Sequence, residues 1–208
     1  MARYLGPSCK LCRREGTKLF LKGPRCDSAK CGFTKRDYPP GPKVFRRGKP
    51  SGYALQLREK QKVKRYYGLL DRTFMRFFEM ANRVQGNSGD ELMSLLERSL
   101  ANIIFRLGWA TSNKQARQLV NQGHVFLNGR RVSIPSYIVA KGDVITARKR
   151  EDTDKVIRSN MDLMRSRELP SWLARDEAEL KATVVDNPKL DEIPIEVKPQ
   201  LIVELCSK

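Results

Sequence analysis

Cys9, Cys12, Cys26 and Cys31 sit in a stretch that has little else to hold it in one shape. Residues 1–50 are rich in Gly, Pro, Lys and Arg and poor in periodically spaced apolar side chains, so they cannot build a conventional core. Such a segment needs a staple. The spacing C-x2-C, thirteen residues, C-x4-C supplies ligands for one. The first pair can bite a metal from a tight knuckle, and the second can close a tetrahedron around it. Four thiolates suit one structural zinc ion and leave no open position for catalysis. An iron–sulfur cluster would use the same donors, and ordinary reduced thiols are the third reading. Lys10, Arg13, Arg14, Arg25 and Lys30 would offset the thiolate charge. From Tyr38 to Gly52 the chain reads as an extended basic linker, because Pro39, Pro40, Pro42 and Pro50 exclude helix. Residues 32–50 are expected to order only against a polyanion. Cys206 stands apart and is expected to be a small buried hydrophobe.

Charge points to the partner. The chain of 208 residues carries a formal net charge of +18, concentrated at the start. Residues 1–72 hold 20 Lys and Arg against 5 Asp and Glu, whereas residues 170–208 hold 5 against 8. A third of a chain with that excess repels itself unless a polyanion is bound, and nucleic acid is the natural one. An anionic membrane surface fits less well, since the basic segment has no clean apolar helical face. No stretch approaches the ~20 apolar residues of a membrane span, and the N-terminus lacks the apolar core of a secretion signal. A soluble intracellular protein is the expectation, and reducing conditions there favour a metal or free thiols over disulfides.

Helical periodicity begins at Ser51, a plausible cap, and runs to Gly68. A second helix opens at Asp71 with Phe74, Phe77, Phe78 and Ala81 inward. A third, from Asp90, carries an apolar stripe from Leu92 to Leu107. Strands are expected at 125–127, 131–134, 138–139 and 144–148, a helix at 154–167, and further strands at 181–185 and 201–205. Between the third helix and the strands lies SNKQARQLVNQGHVFLNGRRVSIPSYIVAKGD, from Ser112 to Asp143. Ser112 and Gln115 have capping-box spacing, Gly123 supplies a left-handed stop, and Asn128-Gly129 signals a tight hairpin. That arrangement crowds basic and amide residues at one end of a small α/β unit. It suits gripping a phosphate backbone while offering amides to exposed bases.

The stretch ARQLVNQGHVFLNGRRV…IPSYIVAKGD resembles the RNA-binding module of the S-four family of small-subunit ribosomal proteins. The start MARYLGPSCKLCRREGTKLFLKGPRC, the run GYALQLREKQKVKRYYG and the end QLIVELCSK resemble the bacterial form of that family, so the likeness covers essentially the whole chain. It implies zinc rather than iron–sulfur at the four cysteines. It also implies RNA-facing roles for Arg106, Asn113, Lys114, Arg117, Gln118, Asn121, His124 and Arg131. One departure stands out: where the family often has R-L-D-N, this chain has Ser99-Leu100-Ala101-Asn102.

Further candidate RNA contacts are Arg3, Lys10, Arg13, Arg14, Lys22, Arg25, Lys35 and Arg36 of the arm, and Lys43, Arg46, Arg47 and Lys49 of the linker. The first helix adds Arg58, Lys62 and Arg65 at i, i+4, i+7 spacing, with Tyr53, Tyr66 and Tyr67 able either to stack on bases or to pack inward. An enzyme is disfavoured: the one histidine, His124, has no nucleophile motif to serve, and no Walker-type phosphate loop exists. A zinc-containing DNA regulator lacks the histidines and helix of a groove-reading finger. A free-standing zinc-containing RNA-binding translational regulator remains as the alternative.

The expected fold is α+β. A zinc-stapled arm (1–48) leads to a helical domain (49–97) joined by the C-terminal segment 186–208. An S-four-type RNA-binding module with a small antiparallel sheet fills 98–185. By resemblance, the function is that of a structural rRNA-binding constituent of the small ribosomal subunit. It would organise a multi-helix rRNA junction during assembly, with neighbouring ribosomal proteins and messenger RNA as further partners and no small-molecule substrate.

Overall fold

The computed structural model describes residues 4–42 and 49–207. Its helices are α1 (Ser8–Glu15), α2 (Gly32–Lys35), α3 (Gly52–Tyr66), α4 (Asp71–Asn82), α5 (Ser88–Glu97), α6 (Leu100–Arg106), α7 (Asn113–Asn121), α8 (Glu151–Leu163) and α9 (Pro199–Cys206). The strands are β1 (Val125–Leu127), β2 (Arg130–Arg131), β3 (Val144–Ala147), β4 (Leu173–Asp176) and β5 (Lys181–Val184). The chain divides into two compact units: Met1–Met93 with Pro194–Lys208, and Ser94–Ile193. Among the described residues no helix is long and apolar enough to cross a membrane.

In the first unit α3 begins where Ser51 Oγ accepts the Ala54 amide at 3.2 Å. It ends where Gly68 takes a left-handed φ of 65° and the Leu69 amide reaches back to the Lys64 carbonyl at 2.9 Å. Phe74, Phe77, Phe78 and Ala81 form the buried stripe of α4. The C-terminal residues 201–205, expected as a strand, are helical. Pro199 at the first turn presets the helical φ, and α9 packs on α3 with Ile202 fully buried. With α3 as its neighbour the segment has no strand edge to pair with.

The second unit holds a five-stranded antiparallel sheet in the order β2-β1-β3-β5-β4. Its core joins Leu100, Ile103, Ile104 and Leu107 of the α6 region, Trp109, Leu119 and Val120, and the sheet residues Val125, Ile145, Ala182 and Val184. The leucine stripe expected as one helix breaks at Ser99. There the backbone is extended and pairs with Ile138, while the Leu100 and Ala101 amides donate to the carbonyls of Tyr137 and Pro135 at 2.8 and 3.0 Å. Residues 138–139 therefore make a single bridge rather than a strand, and β2 is only two residues long. The eighth helix starts three residues earlier than its apolar pattern suggests and stops at Leu163. Arg167, beyond it, lies over the Phe105 ring at 4.7 Å.

Candidate nucleic-acid interface

The face of the second unit is set by α7. Ser112 Oγ accepts the Gln115 amide at 3.4 Å. The return leg of the box is shifted by one residue, since Gln115 Oε1 accepts the Thr111 amide and hydroxyl, both at 2.7 Å. Ala116, Leu119 and Val120 point inward. Lys114, Gln118 and Asn121 are exposed, and Asn113 and Arg117 half-buried. Gly123 has φ 73°, and a Cβ there would lie 1.9 Å from Arg131 Nε. The glycine thus makes room for the Arg131 guanidinium, which donates to the Gln122 carbonyl at 3.3 Å. Asn128 and Gly129 both have positive φ, as a two-residue hairpin of the I′ kind requires. The Asn128 side chain ties that turn to the next one, accepting the Val144 amide and donating to Asp143, each at 2.8 Å.

His124 completes this end of the unit. Its Nδ1 lies 3.1 Å from Thr153 Oγ1, and its carbonyl accepts the Arg148 amide at 2.8 Å. Burial lowers its pKa, and the guanidiniums of Arg148, Arg150 and Arg131 lower it further. Arg148 and Arg150, with Lys149 between them, are exposed cations that the sequence reading passed over. Their signal was the run Arg148-Lys149-Arg150 directly after the last strand of the module. Arg106 faces the other way. Its guanidinium is bidentate on the buried Glu97, at 2.8 and 2.5 Å, and its side chain is 10% exposed. Asn102 Nδ2 donates to the same carboxylate at 2.8 Å. Ala101, where the family often has Asp, uses its backbone amide on the 134–138 turn.

In the first unit every cation of α3 already has a partner. Arg58 and Arg65 both pair with Glu15, whose side chain is fully buried. Burial pushes the Glu15 carboxyl up, against the pull of Arg65 and Arg58. Lys62 pairs with Glu59 at 2.7 Å and donates to the Glu196 carbonyl, and Lys60 and Lys64 reach Asp71 at 4.0 and 3.0 Å. Tyr66 and Tyr67 are buried as an edge-to-face pair, so they pack inward, while Tyr53 is exposed.

The arm wraps on α1. Arg13 donates to the carbonyls of Tyr38 and Pro39, at 2.9 and 3.3 Å, and lies over the Tyr38 ring; Arg14 donates to Pro40 at 3.2 Å. The proline-rich stretch is thus fastened at 38–40. Lys10, Arg25, Lys30, Lys35 and Arg36 are exposed, and with Arg13 they line an open cleft of about 290 Å3. Lys22 and Lys49 are also exposed. Arg3, Lys43, Arg46 and Arg47 lie outside the described residues. Cys12, Cys26 and Cys31 are buried, Cys9 is half-buried, and none of them forms a disulfide. Backbone amides are aimed at three of the sulfurs: Leu19 at Cys12, Lys22 at Cys26 (3.4 Å), and Thr34 and Phe33 at Cys31. Burial raises the Cys12 and Cys26 thiols; at Cys31 burial also raises, but the Thr34 and Phe33 amides, the Thr34 hydroxyl and the charge of Lys18 together outweigh it and the pKa falls. Among the described residues no three His, Cys, Asp or Glu side chains stand in ready coordination geometry. Cys206 is half-buried near Lys60, less enclosed than expected.

Residues 3–97 match the family described as the ribosomal protein S4/S9 N-terminal domain, and residues 98–145 match the S4 domain. A small ribosomal subunit protein uS4 from Thermoanaerobacter sp. (strain X514) is 48% identical over 208 residues, covering the whole of both chains. The uS4A protein of Symbiobacterium thermophilum is 50% identical and the uS4 protein of Geotalea uraniireducens 49%, again over the whole of each chain.

Proposed function

The chain belongs to the uS4 family of small ribosomal subunit proteins, and from that premise we propose that it serves as a structural, non-enzymatic constituent of the small subunit. In that role it binds small-subunit rRNA and neighbouring ribosomal proteins on cytoplasmic ribosomes. The observation that carries the reading is the full-length likeness to uS4 proteins, joined to an α7–hairpin end that exposes Lys114, Gln118, Asn121 and Arg131 together. Those side chains, with Arg117 and His124, would hold the RNA backbone and reach unstacked bases. Organisation of a multi-helix junction early in assembly, near the path by which messenger RNA enters, is the finer form of the same proposal. Binding to structured small-subunit rRNA and to duplex DNA of equal length at matched salt tests it. Strong preference for the rRNA is the expected result, and equal affinity for both would refute it.

The four cysteines would hold one structural zinc ion. The donor set fits, because three buried thiols receive amide hydrogens of the kind that stabilise metal-bound thiolates. Bound zinc would supply the cross-link that the core-poor arm lacks. Metal analysis of the purified protein should give one zinc per chain, lost in Cys12→Ser and retained in Cys206→Ser. Absence of metal with all four thiols freely alkylated would refute it.

A further inference from the structure

We propose that α8 is a splint for α7, with Asn160 and Thr153 as positioning residues that hold the RNA-facing helix in its binding alignment before RNA arrives. The proposal rests on the rRNA-binding reading, and it gives a task to a helix beyond the residues that match the S4 domain.

The buried stripe of α8 is Thr153, Ile157 and Asn160, at i, i+4 and i+7 on one face. Packing alone would call for three apolar side chains there. Two are polar instead, and each is tied to one end of α7. Near the start of α8, Thr153 Oγ1 lies 3.1 Å from His124 Nδ1, just past the left-handed stop at Gly123. Two turns further on, Asn160 is buried at the other end of α7. Its Nδ2 donates to the Trp109 carbonyl at 2.9 Å, in the corner that leads from α6 into α7. Its Oδ1 accepts Gln115 Nε2 at 3.3 Å, and Gln115 Oε1 in turn accepts the Thr111 amide and hydroxyl. These bonds run with one polarity through two side-chain amides. Turning either amide over would set donor against donor and acceptor against acceptor, so the chain of bonds admits one arrangement. A satisfied buried network of this kind rigidifies what it joins, because a half-made one leaves polar groups stranded away from water. Ile157, between the two ties, belongs to the same core as Leu119 and Val120 of α7.

The outward side chains of α7 (Lys114, Gln118 and Asn121) take their aim from the helix that carries them. Nine residues are too few to hold a helix steady without tertiary support. Fixing both ends removes freedom that RNA would otherwise have to remove on binding. Thr153 and Asn160 are buried, so they act through Gln115, the Trp109 corner and His124 and not by touching RNA.

The test uses the full chain and a small-subunit rRNA fragment, well below the melting temperature. Affinity across a salt series and amide exchange over residues 113–121 are measured for wild type, Asn160→Leu and Thr153→Val. Ile157→Val, which trims the same stripe without breaking a polar tie, is the control. Lys114→Gln is the reference for a phosphate contact. The Asn160 variant is expected to bind roughly five-fold more weakly or worse, with faster exchange in α7 and retained protection in β1, β3 and β5. RNA should restore the α7 protection. The slope of log affinity against log salt should stay that of wild type, because the same contacts are remade at a greater ordering cost, whereas in Lys114→Gln it becomes shallower by about one. Wild-type affinity in Asn160→Leu, an equal loss in Ile157→Val, or a shallower slope in Asn160→Leu would overturn the proposal. Should Asn160→Leu not fold, Thr153→Val carries the same expectations from the other end of α7, and wild-type exchange and affinity there would overturn it. A wild-type protein that fails to bind rRNA at all would sink the functional reading itself, a result distinct from all of these.

Discussion

His124 is the only imidazole of the chain, so its proton can be followed without ambiguity. Burial and three guanidiniums hold its folded pKa below the ordinary 6.5. As pH falls, the unfolded chain binds this proton before the folded one does. Its contribution to stability is therefore full above about 6.5 and is lost as pH falls through the folded value. Melting curves of wild type and His124→Gln at about pH 7.5 and about pH 5.5 should show the wild type losing more on acidification; a constant difference between the two proteins would refute this. Gly123 sits beside it. A methyl there meets the Arg131 guanidinium and forces a left-handed backbone on a residue with a side chain, so Gly123→Ala should cost about 1–2 kcal/mol and weaken rRNA binding. Urea unfolding and RNA titration measure the two effects. Arg106 gives the opposite case, a cation whose loss is felt in the fold. Arg106→Ala removes the bidentate guanidinium from the buried Glu97 carboxylate, and a loss of about 3 kcal/mol in urea unfolding is expected.

At the scale of elements, local signals were legible in the sequence and long-range ones were not. The Ser51 and Ser112 caps, the Gly123 stop and the Asn128-Gly129 hairpin follow from chemistry within a few residues, and all four form. The break at Ser99 does not, because it comes from pairing with residues 135–139. Nor does the helical state of α9, whose short apolar run from Leu201 to Leu205 suits either structure until α3 is known to be its neighbour. The site shows the same division. Lys114, Gln118 and Asn121 of α7 face outward as their spacing suggests. Arg58 and Arg65, spaced as an RNA-binding row, instead meet Glu15 from a different helix, which no local pattern reveals. Arg175 lies in the acidic third of the sequence and looks inert, yet it donates to the Leu107 carbonyl at 2.6 Å and caps the end of α6. Arg175→Ala should lower stability by about 1 kcal/mol while leaving the salt slope of RNA binding unchanged. A changed slope would show that it touches RNA.

For the whole molecule, the two units differ in how the chain builds them. Ser94–Ile193 is one continuous stretch with its own sheet and core, whereas the first unit needs residues from both ends. Truncation after Ile193 should keep the folded signature of the second unit, read by hydrogen exchange of β1, β3 and β5, and should abolish cooperative unfolding of the first. Loss of protection in all three strands would show that the second unit does not stand alone.

The seating of α9 against α3 also sets an order in time. During synthesis the N-terminal helices leave the translating ribosome first, but α9, which carries the buried Ile202 onto α3, is made long after them. The later stretch can finish folding while the earlier one still waits, reversing the usual first-made, first-folded sequence of nascent domains. Until α9 has been made and has left the ribosome, the face of α3 that it covers stays open to whatever the newborn chain meets.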